Sequence, residues 1–234
     1  MSKENETKST SIPIVGFVIA AIIAVVINSK AFKPQEPSVA PEGFTYLDGR
    51  LFANEMQISK SKQLFLGGGT RMYSGASVYA AGVYLNESSV KSLKKKYKSD
   101  DATALSENNS FFKEISDSKE KTLLLQIHRT VHTLKVTSMI SADIKSKVDE
   151  SVTKDFSKKV LSMVSAERVF KDFALYINCK GDSVKLSKTF DDLEESEAYQ
   201  AKGFCNALFE SYLGKDSIAT PAMSGVAQTF TELN

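Results

Sequence analysis

The stretch GGGTRMYSGASVYAAGVYL (residues 67–85) places a glycine run and an arginine ahead of an apolar segment. Three consecutive glycines, residues 67–69, disfavour regular structure and predict a tight turn. Residues 76–85 have the composition of a β-strand, and the small residues at 80–82 would let another segment pack closely on it. The glycine run precedes a strand and lacks the lysine of the GxxxxGK[ST] motif. It is therefore neither a phosphate loop nor a dinucleotide-binding fingerprint.

Short strands and amphipathic helices are predicted on both sides of this stretch. Upstream, strands are expected within residues 44–47, 51–58 and 63–66, with turns at 48–49 and 59–62. Downstream, strands are expected at 122–129, 173–179 and 184–189, and a polar loop at 99–109. Helices are expected at 88–97, 133–152, 153–164, 196–213 and 221–233. Strands and helices in runs, without strict alternation, predict an α+β fold with an antiparallel sheet packed against a layer of helices.

The N-terminal segment has a different composition. Residues 9–29 carry no charged side chain, and residues 12–27 read IPIVGFVIAAIIAVVI. This length barely spans a hydrocarbon core as a helix, so a retained membrane anchor and a cleaved signal peptide both remain open, with the anchor favoured. Ser29-Lys30-Ala31 has the small-x-small pattern that a signal peptidase accepts. Lysines are equally few on both sides, so the positive-inside rule gives no orientation.

These features divide the chain into four parts. Residues 1–11 are an N-terminal tail, 12–28 a transmembrane anchor or signal segment, 29–42 a proline-rich linker, and 43–234 the folded domain. We expect a single-pass membrane protein, or a secreted or lumenal one if the segment is removed. The membrane and the side on which the domain lies are left open.

Composition excludes several classes of function. The net charge of +2 gives no indication of nucleic-acid binding. The two cysteines, Cys179 and Cys205, have neither zinc nor redox spacing, and two buried free thiols are favoured over a disulfide. The two histidines, His128 and His132, lack a third ligand of defined position, so no metal site and no cofactor are predicted.

Two blocks of the sequence together resemble the chalcone isomerase family. The stretch at 67–85 resembles its signature of a glycine turn, an arginine and a strand reading VYAAGVYL, and residues 202–233 resemble its final helices. The blocks occur in the family's order, and the resemblance covers about residues 44–233. It implies an open-faced sandwich in which an antiparallel sheet and a helical layer enclose an apolar cleft.

The resemblance also implies candidate ligand-binding residues. In fatty-acid-binding relatives an arginine and a tyrosine on the next strand hold a carboxylate, and Arg71 and Tyr79 match those positions. Ser196 matches a Thr/Ser position that lines the same cleft. Each residue also has a plain structural interpretation. Arg71 could bond to a loop carbonyl or a carboxylate, Tyr79 could be a core aromatic residue, and Ser196 could cap the N-terminus of a helix.

Departures from the family pattern argue against isomerase chemistry. True isomerases have a tyrosine and a lysine where this chain has Ser141 and Ile144, and plant enzymes have threonine at the position of Tyr79. Cyclisation of an enone needs donors on its carbonyl oxygen and a positioned phenolate. Catalytic residues are therefore left unassigned.

Three functions are compatible with this sequence. The favoured one is a non-catalytic, membrane-tethered protein that binds a fatty acid or similar apolar carboxylate in the cleft. The second is an anchored interaction protein whose cleft is closed. The third is an intramolecular lyase of the chalcone isomerase type.

Overall fold

Two long antiparallel strands form the centre of the fold. The computed structural model describes residues 40–164, 167–219 and 221–233. Strand β4 (Ser61–Tyr73) pairs with β5 (Ala76–Asn86), and Arg71 lies opposite Tyr79 in the register. Ser74 and Gly75 have positive φ values and form the turn that joins the two strands.

Further strands extend this pair into a seven-stranded antiparallel sheet of order β11-β10-β9-β6-β5-β4-β3. Its other members are β3 (Glu55–Ile58), β6 (Glu120–Ile127), β9 (Ala174–Lys180), β10 (Ser183–Ser187) and β11 (Tyr199–Gln200). Two small ribbons stand beside it: β1 (Phe44–Leu47) with β2 (Arg50–Ala53), and β7 (Val131–His132) with β8 (Arg168–Val169).

The helices follow in chain order. They are α1 (Glu87–Lys96), α2 (Ala102–Ser106), α3 (Asn109–Asp117), α4 (Thr133–Ile144), α5 (Glu150–Met163), α6 (Asp191–Glu195), α7 (Phe204–Leu213) and α8 (Ala222–Glu232). Helix α8 packs on β4, α4 packs on α5 and α7, and α3 packs on α7.

The sheet buries a core on each face because successive side chains of a strand point to opposite sides. On β5, Tyr79, Ala81 and Val83 belong to the main core under the helices. Ala80 and Tyr84 belong to a second, smaller core with Phe52 and Phe65. The β1–β2 ribbon supplies Phe52, whose ring stacks on Phe65 at 5.4 Å between centroids. The α+β prediction of an antiparallel sheet packed against helices is confirmed.

The predicted glycine turn is wrong, since residues 67–69 lie inside β4. Because these glycines have no side chains, the final helix and the loop before it can pack close to the strand. A Cβ on Gly69 would lie 2.4 Å from the carbonyl oxygen of Ala219, and one on Gly67 would lie 2.5 Å from that of Gly225. Only glycine lets the helix backbone come this near the strand.

The helical segments show three further differences from the sequence prediction. The polar segment 99–109 contains the short helix α2, capped by Asp101, and leads into α3. Helix α4 ends at Ile144 instead of continuing to residue 152. The penultimate helix begins at Phe204 instead of Ser196, because a separate short helix, α6, ends at Glu195 and the edge strand β11 lies between it and Phe204.

Cys179 and Cys205 form a disulfide, so the expectation of two free thiols is wrong. The bond joins β9 to α7 with a Cα–Cα distance of 5.9 Å. A separation of 26 residues in sequence gives no sign of this proximity.

The anchor or signal segment predicted at 12–28 and the tail at 1–11 lie outside the described residues. Among the residues that are described, no helix combines the length and the apolarity needed to cross a membrane.

Candidate functional site

Arg71 lies near the end of β4 and faces the helical layer. Its Nη1 donates a hydrogen bond of 3.0 Å to the carbonyl oxygen of Ile218, in the loop before α8. Its Nη2 donates one of 2.9 Å to Oδ1 of Asp143 on α4. The guanidinium therefore ties the sheet to two segments of the helical layer through charge-assisted hydrogen bonds.

The Arg71–Asp143 pair is largely buried, with side-chain exposures of 18% and 12%. Burial raises the pKa of the Asp143 carboxyl above its ordinary value, and the Arg71 charge acts against this rise. Asp143 Oδ2 and Arg71 Nε are buried without a hydrogen-bond partner among the described residues. The pair thus has one unpaired donor and one unpaired acceptor, and another group could reach them only if the pair opened.

Tyr79 lies beside Arg71 on the neighbouring strand and forms a hydroxyl pair with a helix residue. Its hydroxyl lies 2.8 Å from that of Tyr212 on α7. Burial raises the pKa of both phenols, so both are neutral at physiological pH. A neutral phenol pair can offer one hydrogen to a third group but cannot act as a ready base.

A cavity of about 500 Å³ opens on the helical side of this site. Asp143 and Ile218, the two partners of Arg71, both line it. Its wall combines the apolar side chains Phe112 and Leu213 with three basic and three acidic ones: Lys113, Lys147, Lys215, Asp143, Glu210 and Asp216. Arg71 and Tyr79 lie behind this wall and do not line it. The lining thus offers apolar contacts beside charges of both signs, and Lys147 is already paired with Glu210 at 3.3 Å.

Ser196 does not join this group. It lies at the C-terminal end of α6, where its hydroxyl donates to the carbonyl oxygen of Asp192 at 2.7 Å. Helix α6 packs on β10, which β9, β6 and β5 separate from β4. The structure thus brings Arg71 and Tyr79 together and places Ser196 directly after α6, at the other side of the sheet. The N-cap interpretation is also wrong, because the residue follows a helix.

The positions that matched isomerase side chains also lie elsewhere. The hydroxyl of Ser141 contacts that of Ser157 at 3.1 Å, between α4 and α5. Ile144 is fully buried in the main core. Neither side chain contributes a donor beside Arg71.

Sequence reasoning missed Asp143 and Tyr212, although their spacing carries a signal. Asp143 follows Met139 and Ile140 by four and three residues, so an acidic side chain lies on the apolar stripe of α4. Tyr212 follows Leu208 by four residues on the buried side of α7. A charged residue within an apolar stripe usually has a buried partner.

The histidines lie near different carboxylates. His128 Nε2 is 3.3 Å from Asp48, and His132 Nδ1 is 3.4 Å from Glu167. Within the described part of the chain, no group of three or more His, Cys, Asp or Glu side chains could hold a metal ion.

Comparisons with known proteins agree with this architecture. The structure matches the crystal structure of the fatty-acid binding protein of Arabidopsis thaliana with a TM-score of 0.59 and 19% sequence identity. The match covers 83% of this chain and 97% of the other. At this identity it shows the fold alone.

Sequence comparison gives a single family. None of the curated proteins compared with the chain matches it. The family model of chalcone-flavanone isomerase matches residues 51–233, which include both strands of the candidate site and the helices over it. The chain therefore belongs to the chalcone-flavanone isomerase family.

Proposed function

We propose that this protein is a non-catalytic, membrane-tethered member of its family that binds a fatty acid or similar apolar carboxylate between the sheet and the helices. The observation that carries the proposal is the Asp143 carboxylate held by Arg71 at 2.9 Å beside a cavity of about 500 Å³. Arg71 already binds a carboxylate in this position, so the site has the charge and shape that a ligand carboxylate needs.

A ligand could engage this arrangement by displacing Asp143. The free Nε of Arg71 and the neutral Tyr79–Tyr212 pair would add donors to its carboxylate. An acyl chain would then gain about 0.8 kcal/mol for each methylene that it buries. The structural similarity to a fatty-acid binding protein supports this class of ligand.

The surroundings of Arg71 argue against isomerase activity. Cyclisation of an enone requires donors on its carbonyl oxygen and a base or phenolate in reach. Burial keeps both phenols protonated, and Ser141 and Ile144 point to other neighbours. An intramolecular lyase is for these reasons the least supported function.

An anchored interaction protein with a closed cleft is the second candidate. It is favoured because the chain's own groups already form most of the hydrogen bonds that the site offers. Asp143 and the carbonyl of Ile218 accept hydrogen bonds from two nitrogens of the Arg71 guanidinium. The hydroxyl of Tyr79 is hydrogen-bonded to that of Tyr212. In this function the same residues would serve only to fasten the helices to the sheet.

The membrane tether is proposed from sequence. Residues 12–28 are apolar enough to enter a bilayer, and fatty acids partition into bilayers. A binding protein held at a membrane surface would meet such ligands at high local concentration.

The test is native mass spectrometry of residues 40–234, with lipid extraction and titration of oleate. We expect bound long-chain fatty acid in the wild type. Arg71→Ala should weaken binding by roughly 10- to 100-fold, as expected for loss of a charge-assisted hydrogen bond, and Tyr79→Phe should weaken it less. Arg129→Ala removes an exposed arginine and serves as the matched control. A wild-type domain that stays empty at saturating oleate would favour the closed-cleft function.

A further inference from the structure

One end of the domain concentrates exposed apolar side chains. Among the described residues, seven large hydrophobic side chains are exposed, and the β1–β2 ribbon carries three of them. The other four are Met72 (48% exposed), Tyr73 (44%), Leu134 (63%) and Phe170 (64%). They belong to the C-terminal end of β4, the first turn of α4 and the segment after β8.

Contacts within the chain bring these three segments to the same end of the sheet. Lys135, next to Leu134, holds its Nζ 4.0 Å from the centre of the Tyr73 ring. His132 pairs with Arg168 in the β7–β8 ribbon, which places the start of α4 beside the segment that carries Phe170. The backbone of Asp172 donates to the carbonyl of Ile127 at the end of β6.

Basic side chains surround the apolar ones. Arg129, Lys135, Arg168, Lys171 and Lys188 are exposed at this end. The acidic side chains here each contact a neighbour: Asp48 the hydroxyl of Thr70 at 2.9 Å, Glu167 the ring of His132 at 3.4 Å, and Asp172 the guanidinium of Arg50. A cavity of about 380 Å³ lies between Phe170, Phe173 and Lys188, and its charged lining is three basic residues and the acidic Asp172.

We propose that this end, defined by Met72, Tyr73, Leu134, Phe170 and the five basic residues and named here the docking end, lies against an anionic phospholipid bilayer. Aromatic and aliphatic side chains that project among lysines and arginines match the interface of such a bilayer, where apolar groups enter and cations meet phosphate.

The length of chain before the described residues is compatible with this contact. Residues 29–39 separate the apolar segment from the first described residue and can extend over no more than about 40 Å. Strand β1 then runs toward the turn at Asp48, whose carboxylate meets Thr70 near the docking end. The inference rests on the tether of the proposed function, and it would put Arg71, one residue from Met72, close to the bilayer surface.

Tryptophan fluorescence of the full chain tests the proposal, since the chain contains no tryptophan. Phe170→Trp reports on the docking end. Lys60→Trp is the matched control, because Lys60 is exposed in the β3–β4 turn, at the opposite end of the 13-residue strand β4. Each variant is reconstituted into vesicles with brominated acyl chains, either of phosphatidylcholine alone or with phosphatidylserine. We expect at least twofold stronger quenching at position 170 than at position 60, larger with phosphatidylserine and reduced by salt.

A charge variant and flotation separate the possible outcomes. Lys135→Glu with Lys171→Glu, in the Phe170→Trp background, should reduce quenching in anionic vesicles by at least half. Equal quenching at both positions would overturn the proposal. So would a blue shift of the Phe170→Trp emission that appears without vesicles and depends on protein concentration, because it would indicate self-association. Flotation of the full chain with neutral vesicles measures the tether separately. A chain that floats without quenching at position 170 leaves the tether standing and removes the docking end.

Discussion

At the scale of single residues, Asp143 decides whether Arg71 is available to a ligand. It places one carboxylate oxygen on the guanidinium and leaves the other buried without a partner among the described residues. Its raised pKa reflects a carboxylate whose burial is only partly compensated by Arg71. A competing carboxylate of this kind would lower the affinity for a fatty acid without abolishing it.

Replacement of Asp143 by asparagine is expected to tighten fatty-acid binding about tenfold. The neutral amide keeps the shape of the side chain but competes less well for the Arg71 charge than a carboxylate does. Displacement of a fluorescent fatty acid measures the effect. Asp216→Asn, an exposed residue on the wall of the same cavity, is the control and should leave the affinity within twofold. Equal, undetectable binding by wild type and Asp143→Asn would instead support the closed cleft.

Lys121 is a second buried charge, and it gives a pH-dependent stability. It is 2% exposed, and its Nζ donates to the carbonyls of Ser116 and Ser118 and to the side chain of Asn206. Burial lowers its pKa to about 8. An unfolded lysine holds its proton until about pH 10.4, so between these values the unfolded state binds more protons and stability rises with pH.

The Lys121 contribution to the free energy of unfolding should rise by roughly 2 kcal/mol between pH 7.5 and pH 9.5. The quantity to measure is the difference between wild type and Lys121→Met in urea unfolding at each pH, which cancels the titration of groups common to both. A difference that stays constant over this range would show that the three acceptors keep the ammonium charged.

The sequence made Arg71 and Tyr79 recognisable as candidates because they stand within a continuous motif. It could not reveal their partners, since Asp143 and Tyr212 lie 72 and 133 residues away along the chain. For Ser196, the sequence indicated a place in the site that the structure does not give it. An alignment position assigned it to the cleft, yet α6 and β11 carry that segment to another strand.

At the scale of elements, the strand pattern was more predictable than the role of the glycines. Apolar strand composition located β5, β6 and the β9–β10 hairpin to within about two residues, and β5 and β6 are buried on both faces. Local propensity predicted a turn at residues 67–69. Pairing with β5 and contact with α8 overrode that propensity, and both partners lie outside the local sequence.

The contact between β4 and α8 predicts an unusual result for Gly225→Ala. In an exposed helix this change is stabilising by up to about 1 kcal/mol. Here the new Cβ would lie 2.5 Å from the carbonyl oxygen of Gly68, so the helix must move away from the strand. We expect a net loss of about 2 kcal/mol or more.

Thermal or urea unfolding compares this variant with Gly75→Ala. In Gly75→Ala the new Cβ would have no atom within 4 Å. The φ of +75° at this position would strain the backbone, and we expect a loss of about 1 kcal/mol in the free energy of unfolding. A Gly225→Ala variant as stable as wild type would mean that α8 does not approach β4 this closely.

At the scale of the whole molecule, the disulfide ties the far side of the sheet to the helical layer. The core under the helices is continuous from β9 to α8, and the bond between Cys179 and Cys205 lies within it. Composition suggested two thiols because isolated cysteines are most often buried and reduced. Only the tertiary arrangement, in which β9 faces α7, places them together.

Reduction of this bond is expected to lower the free energy of unfolding by about 3 to 4 kcal/mol, from the entropy of closing a loop between residues 26 apart in sequence. Urea unfolding with and without a phosphine reductant measures the change, and the Cys179→Ala/Cys205→Ala variant is the control, because reductant should not affect it. Disulfides persist in oxidising compartments, so a domain held on the oxidising side of its membrane should resist maleimide in denatured cell extracts until reductant is added. Immediate labelling of both cysteines in those extracts would place the domain on the reducing side, where the fold would have to do without this bond.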